Sequence, residues 1–136
     1  MIVADTSGLL ALYNAAEPAH AAVSRLVAEL REPLIVSPYV VAELDYLVAT
    51  RVGPRAALGV LRELSGGAYM LPCLSADDLV VAGDVVERYA DLQLGVADAS
   101  LVLLADRYAT SRLLTLDRRH FDVVRTLGGA TFTLLP

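Results

Sequence analysis

Lysine is absent from this chain of 136 residues, so all eleven of its basic side chains are arginine. Tryptophan is missing too, and cysteine occurs once, at Cys73. A single cysteine excludes a disulfide framework and a cysteine-based zinc centre. Lodged in the apolar stretch "AYMLPCL", it is expected to be a small buried hydrophobe. No run reaches the ~18 uninterrupted apolar residues of a membrane span. The densest stretch, "ASLVLLA", lies between Asp98 and Asp106. The start lacks a basic segment followed by an apolar region and a cleavage site, so a cytoplasmic location is expected.

What is present is apolar and acidic. Hydrophobic residues make up 56% of the chain, and mean hydropathy is +0.55. That is more than one soluble domain needs for its core, and it argues for a buried subunit interface. The formal net charge of −5 speaks against a nucleic-acid partner. Yet every positive charge here is a planar, bidentate binder of phosphate or carboxylate. Several cluster, as Arg51 and Arg55 in "RVGPR" and Arg112, Arg118, Arg119 and Arg125 in "RLLTLDRRHFDVVR". Solvated helix faces explain any one of them equally well.

"MIVAD", "PLIVS", "RLLTL" and "TFTLL" read as short buried strands, and "AYMLPCL" as a weaker one limited by Pro72 to an edge or a strand end. Helical spacing runs through "EPAHAAVSRLVAELRE", with Pro18 expected in the first turn. Ser37 and Pro38 form an N-cap and N1 pair opening "YVVAELDYLVATR". "GPRAALGVLREL" repeats the proline start, and Ser75 with Asp78 has capping-box spacing. "VADASLVLLADRYA" reads as a buried helix. Alternating strands and helices, with strands apolar on both faces, predict a three-layer α/β sandwich with a mostly parallel central sheet. Residues 1–136 read as one domain.

Four acids stand out. Asp5 and Asp117 each follow an apolar strand, where an open parallel sheet places its functional crevice. Each also suits the plainer role of a helix or turn cap. Asp98 shares a helix face with Leu101, Val102 and Ala105, where a lone charge needs a partner. Glu43 lies one turn into its own helix beside Val40, Leu44 and Leu47. Convergent carboxylates ~4 Å apart would repel by roughly 4 kcal/mol at an effective dielectric of ~20. Either some take up protons or a divalent ion resolves the conflict. All-oxygen ligation selects Mg²⁺ or Mn²⁺, and such an ion suits phosphodiester hydrolysis.

"VADTSGLLAL", "SPYVVAEL", "GVADASLVLLA" and "LLTLDRRHF", in that order across essentially the whole chain, resemble PIN-domain proteins, specifically the VapC toxins of bacterial toxin–antitoxin modules. The resemblance implies an Mg²⁺- or Mn²⁺-dependent endoribonuclease acting on structured RNA, a tRNA or a ribosomal RNA loop. Its acids would be Asp5, Glu43, Asp98 and Asp117. Asp5 and Asp98 would be the direct metal ligands, with Glu43 and Asp117 orienting water or a second ion. Ser7 and Thr115 match the hydroxyls of the opening and closing motifs and would support the ligands. The resemblance further implies a homodimer and a cognate antitoxin that covers hydrophobic surface. Arg118 and Arg119, directly after Asp117, are candidates for gripping RNA; capping a short helix or contacting a dimer partner is their plainer alternative.

Two other readings compete. Phosphoacceptor domains, such as receivers and haloacid-dehalogenase-type phosphatases, also place an acid after the first strand, but they rely on a lysine that this chain lacks. A non-catalytic RNA-binding or scaffold version of the fold stays open; the complete acidic set argues against it.

Overall fold

A computed structural model describes residues 1–136. Five short strands form one sheet: β1 (Ile2–Ala4), β2 (Leu34–Val36), β3 (Tyr69–Met70), β4 (Arg112–Leu114) and β5 (Thr133–Leu135). Their order is β3-β2-β1-β4-β5, and all four pairings are parallel. Val3 of the central strand is in register with Ile35 on one side and Leu113 on the other. β1 and β2 are buried along their whole length. Strands apolar on both faces need cover on both, and seven helices supply it: α1 (Thr6–Tyr13), α2 (His20–Glu29), α3 (Pro38–Arg51), α4 (Pro54–Leu64), α5 (Ala76–Arg88), α6 (Val96–Arg107) and α7 (Arg118–Phe121). The result is an α/β sandwich around a cluster of 30 buried hydrophobic residues. No helix is long and apolar enough to cross a membrane.

Local chemistry starts several helices. Ser37 Oγ accepts from Tyr39 N at 3.2 Å while Pro38 occupies the first turn of α3. Ser75 and Asp78 close a capping box at α5, each side chain accepting from the other's backbone N–H. α4 starts with Pro54 after Gly53, whose φ of +145° suits glycine. α6 differs: residues 99–105 are all buried, so over that stretch it is enclosed around its whole circumference. It lies against β1, α3 and α5. α1 crosses β4 closely enough that Gly8 faces the Leu114 backbone.

Two expectations need correction. Pro18 is not in the first turn of α2, which begins at His20 after Ala19. The reason lies upstream, where Asn14 turns the chain by accepting from Ala16 N and Glu17 N. Cys73 is exposed rather than buried. β3 ends after two residues at the sheet edge, so the "LPC" segment leaves the core.

The strand order carries the site. The chain builds outward from β1 through β2 to β3, then returns to the other side of β1 for β4 and β5. The connections leaving β1 and β4 therefore diverge, which opens a crevice at the carboxyl ends of those strands.

Candidate active site

Asp5 stands at the carboxyl end of β1, its N–H donating to Leu114 O on neighbouring β4 at 2.9 Å. Its carboxylate is buried, and three donors explain how a charge survives there. Thr6 N donates to Oδ1 at 2.7 Å. Ser7 Oγ and Thr115 Oγ1 both donate to Oδ2, at 2.5 and 2.7 Å. Each hydroxyl in turn accepts a backbone N–H from the chain leaving β4, Leu116 N to Ser7 at 2.9 Å and Asp117 N to Thr115 at 3.0 Å. The network locks Asp5 to the segment that carries Asp117.

This network predicts a stability effect. Thr115→Val keeps the shape but leaves Oδ2 one donor short and Asp117 N without its acceptor, an expected loss of roughly 2 kcal/mol in urea denaturation. Thr115→Ser should recover most of it. A loss below about 0.5 kcal/mol would mean that water takes over both roles.

Asp117 is itself a cap: Oδ1 accepts from His120 N at 3.1 Å, and Oδ2 lies 2.8 Å from His120 Nδ1. That second approach does not meet hydrogen-bond geometry, so the buried ring nitrogen has no hydrogen-bond partner. Glu43 is exposed on α3 and tethered by Thr6, whose Oγ1 donates to Oε2 at 3.1 Å. Asp98, in the first turn of α6, is half-buried and accepts from Gly95 N at 3.0 Å through Oδ2. α3 and α6 are pinned together below the site, where Ser100 Oγ reaches Ser37 Oγ at 2.7 Å and both residues are fully buried. This pins together the two helices that carry Glu43 and Asp98.

All four acids line one cavity of about 500 Å³, together with Thr6, Ser7, Glu17 and Arg51. Thr115 stands behind Asp5. Arg118 and Arg119 are not in the lining: they open α7 as exposed residues, with Arg118 4.0 Å from Asp122. The residues that sequence reasoning missed are Thr6, Glu17, Arg51 and His120 as parts of the site. For Arg51 a signal existed, because it follows Glu43 and Leu47 at four-residue steps along one face of α3.

The electrostatics follow from the geometry. Burial pushes the Asp98 carboxyl above its ordinary 3.8, and the charges of Asp5 and Asp117 push the same way. The Gly95 amide and His120 pull against them. No three His, Cys, Asp or Glu side chains sit together as a ready metal cage. Mg²⁺ does not require one, since it commonly takes one or two carboxylates and keeps several waters. Asp5 Oδ1 accepts from Thr6 N alone, and Asp98 Oδ1 has no protein donor, so both retain lone pairs. The free lone pairs on Asp5 and Asp98 thus fit a hard divalent ion.

No family model matches the chain. It is 56% identical over 135 residues to Ribonuclease VapC26 of Mycobacterium tuberculosis, covering 99% of this chain and all of that protein. Its structure is similar to the crystal structure of VapC20 of Mycobacterium tuberculosis, a sarcin–ricin-loop-cleaving toxin, with a TM-score of 0.81 at 23% identity over 87% of this chain and 91% of that one. VapBC2 of Rickettsia felis, bound to a fragment of its promoter DNA, matches with a TM-score of 0.67 at 16% identity and full coverage of both chains. FitAcB of Neisseria gonorrhoeae matches at 0.65, with 20% identity over 98% of this chain and 97% of that one.

Proposed function

Because the chain belongs to the VapC-type PIN-domain toxins, we propose that it is a metal-dependent endoribonuclease. It cleaves a structured RNA, a tRNA or ribosomal RNA, by phosphodiester hydrolysis, and a cognate antitoxin neutralises it. Residues 1–136 act as a single nuclease domain. The observation that carries this reading is the acid cleft at the β1–β4 crevice, with Asp98 held half-buried against the charges of Asp5 and Asp117. A scaffold protein gains nothing from that arrangement, whereas a site built for a cation does.

Asp5 and Asp98 would hold Mg²⁺ or Mn²⁺, whose charge would offset their repulsion and whose chemistry would be to make a water nucleophilic. The chain's own part is positioning. Ser7 and Thr115 hold Asp5 in one rotamer, Thr6 steadies Glu43, and the α7 cap with His120 fixes Asp117. Glu43 and Asp117 then face the reacting phosphate as acceptors able to orient the attacking water or a second ion. The partners are an antitoxin and a second copy of the chain in a homodimer, in the cytoplasm. Exposed Tyr46, Val52, Leu58 and Leu61 on and between α3 and α4 support an apolar partner surface.

Incubating purified protein with total RNA and mapping the new 5′ ends tests the reading. Mg²⁺ or Mn²⁺ should yield a few discrete ends, EDTA should remove them, and excess metal should restore them. Discrete cleavage that persists in EDTA would sink the metal assignment. No discrete cleavage with either metal would sink the enzyme.

A further inference from the structure

Five acids line the cavity, Asp5, Glu17, Glu43, Asp98 and Asp117, and a single cation, Arg51, faces them. Polyanionic RNA must nevertheless enter it. We infer that Arg51 grips an RNA phosphate flanking the reacting one and that Glu17 holds this arginine ready until RNA arrives. The inference rests on the ribonuclease reading above and adds a substrate-positioning residue to it.

The geometry supplies both halves. Arg51 ends α3 and lies eight residues beyond Glu43, so the two share a helix face about 12 Å apart along the axis. The guanidinium therefore meets the strand beside the acids rather than among them. Its Nη1 lies 3.5 Å from Glu17 Oε1, and the side chain is 53% exposed against 25% for Glu17. That separation exceeds the ~2.7–2.9 Å of a strong charge-assisted bond, and an exposed pair of this kind costs little to exchange. No hydrogen bond engages the arginine's donors, so its planar fork is free for phosphate oxygens. Glu17, by contrast, is placed by backbone: its N–H donates to Asn14 O at 3.0 Å, and Asn14 Nδ2 reaches its Oε1 at 3.5 Å. A backbone-anchored acid beside an exposed arginine keeps the cation at the cleft without saturating it.

The test measures binding of a fluorescent, mixed-sequence single-stranded RNA oligonucleotide by anisotropy across a salt series. The full chain carries Asp98→Asn so that the RNA stays intact, and Arg51→Gln or Glu17→Gln is added to that parent. Arg51→Gln should weaken binding about tenfold, as expected for a lost charged hydrogen bond. It should also flatten the slope of log affinity against log salt by about 0.7, the loss of one phosphate contact on a single strand. Glu17→Gln should act in the opposite direction and tighten binding, because it removes the competitor. If Arg51→Gln leaves affinity and slope unchanged while the parent binds RNA, the inference fails and the ribonuclease reading stands. If both substitutions weaken binding and lower the melting temperature together, the pair is a structural tether and the inference fails again. A parent that binds no RNA, paired with a wild-type chain that cuts none, takes down the ribonuclease reading itself.

Discussion

Asp98→Asn is expected to abolish metal-dependent RNA cleavage and, in the absence of metal, to make the protein more heat-stable. The two effects share one cause. Asp98 is desolvated and repelled by Asp5 and Asp117, and its carboxyl is accordingly pushed up from 3.8. Asparagine can still accept the Gly95 N–H through its amide oxygen, so the first turn of α6 keeps its cap. What disappears is the charge that a cation needs. Cleavage should fall by more than about 100-fold, beyond the usual cost of losing a ligand's supporting group.

The pH dependence has a definite sign. A carboxyl whose folded pKa lies above its unfolded value binds more protons in the native state, so its contribution is fully present below the unfolded pKa and is lost as pH rises through the folded one. The wild-type and Asp98→Asn melting temperatures should therefore converge below pH 3.8, the midpoint of an ordinary Asp carboxyl, and separate toward neutrality with the variant higher. Saturating Mg²⁺ should then raise the wild type by mass action and leave the variant nearly unmoved. Equal Mg²⁺ shifts in the two proteins would mean that Asp98 is not a ligand.

Why did Asp98 stand out in the sequence while Arg51 did not? An acid on an otherwise apolar helix face conflicts with its neighbours, and that conflict is local and visible. So are the helix starts at Ser37–Pro38 and Ser75–Asp78, which depend on residues within one turn. Asp5 and Asp117 looked ambiguous between helix cap and site because each plays the cap: Asp5 accepts from Thr6 N and Asp117 from His120 N. Capping itself carries a carboxylate to the mouth of the crevice, so the two readings were never exclusive. The rest of the site depends on distance in space. Thr6 meets Glu43 across 37 residues of chain, and Thr115 meets Asp5 across 110. Nothing local distinguishes Glu17 from an ordinary surface acid until the Asn14 turn carries it toward α3. That same turn displaced the start of α2 past Pro18, and the two-residue length of β3 left Cys73 outside the core. The first error came from a local turn that outcompeted the proline start, the second from a strand whose end is set by its place at the sheet edge.

Gly8→Ala should be strongly destabilising, against the ordinary expectation for that exchange. In a helix interior alanine is better than glycine by roughly 0.5–1 kcal/mol, and Gly8 is the third residue of α1. Here, however, a Cβ would lie 2.7 Å from both the carbonyl oxygen and the Cγ of Leu114. The side-chain atom can rotate away, but the oxygen cannot, because Leu114 O accepts the Asp5 N–H that joins β1 to β4 at the crevice. Relief requires α1 to lift from the sheet. Overpacking of this kind costs about 3 kcal/mol at the upper end of its usual range, which for a chain of this length is a fall of roughly 10 °C in melting temperature. Lifting α1 also pulls Ser7 from Leu116 N and from Asp5, so catalysis should suffer in whatever protein remains folded. Gly59 is the control: it lies inside α4 with open space where its Cβ would go, so Gly59→Ala should raise the melting temperature slightly. If the two substitutions shift it in the same direction, the close passage of α1 over β4 is not what positions Asp5.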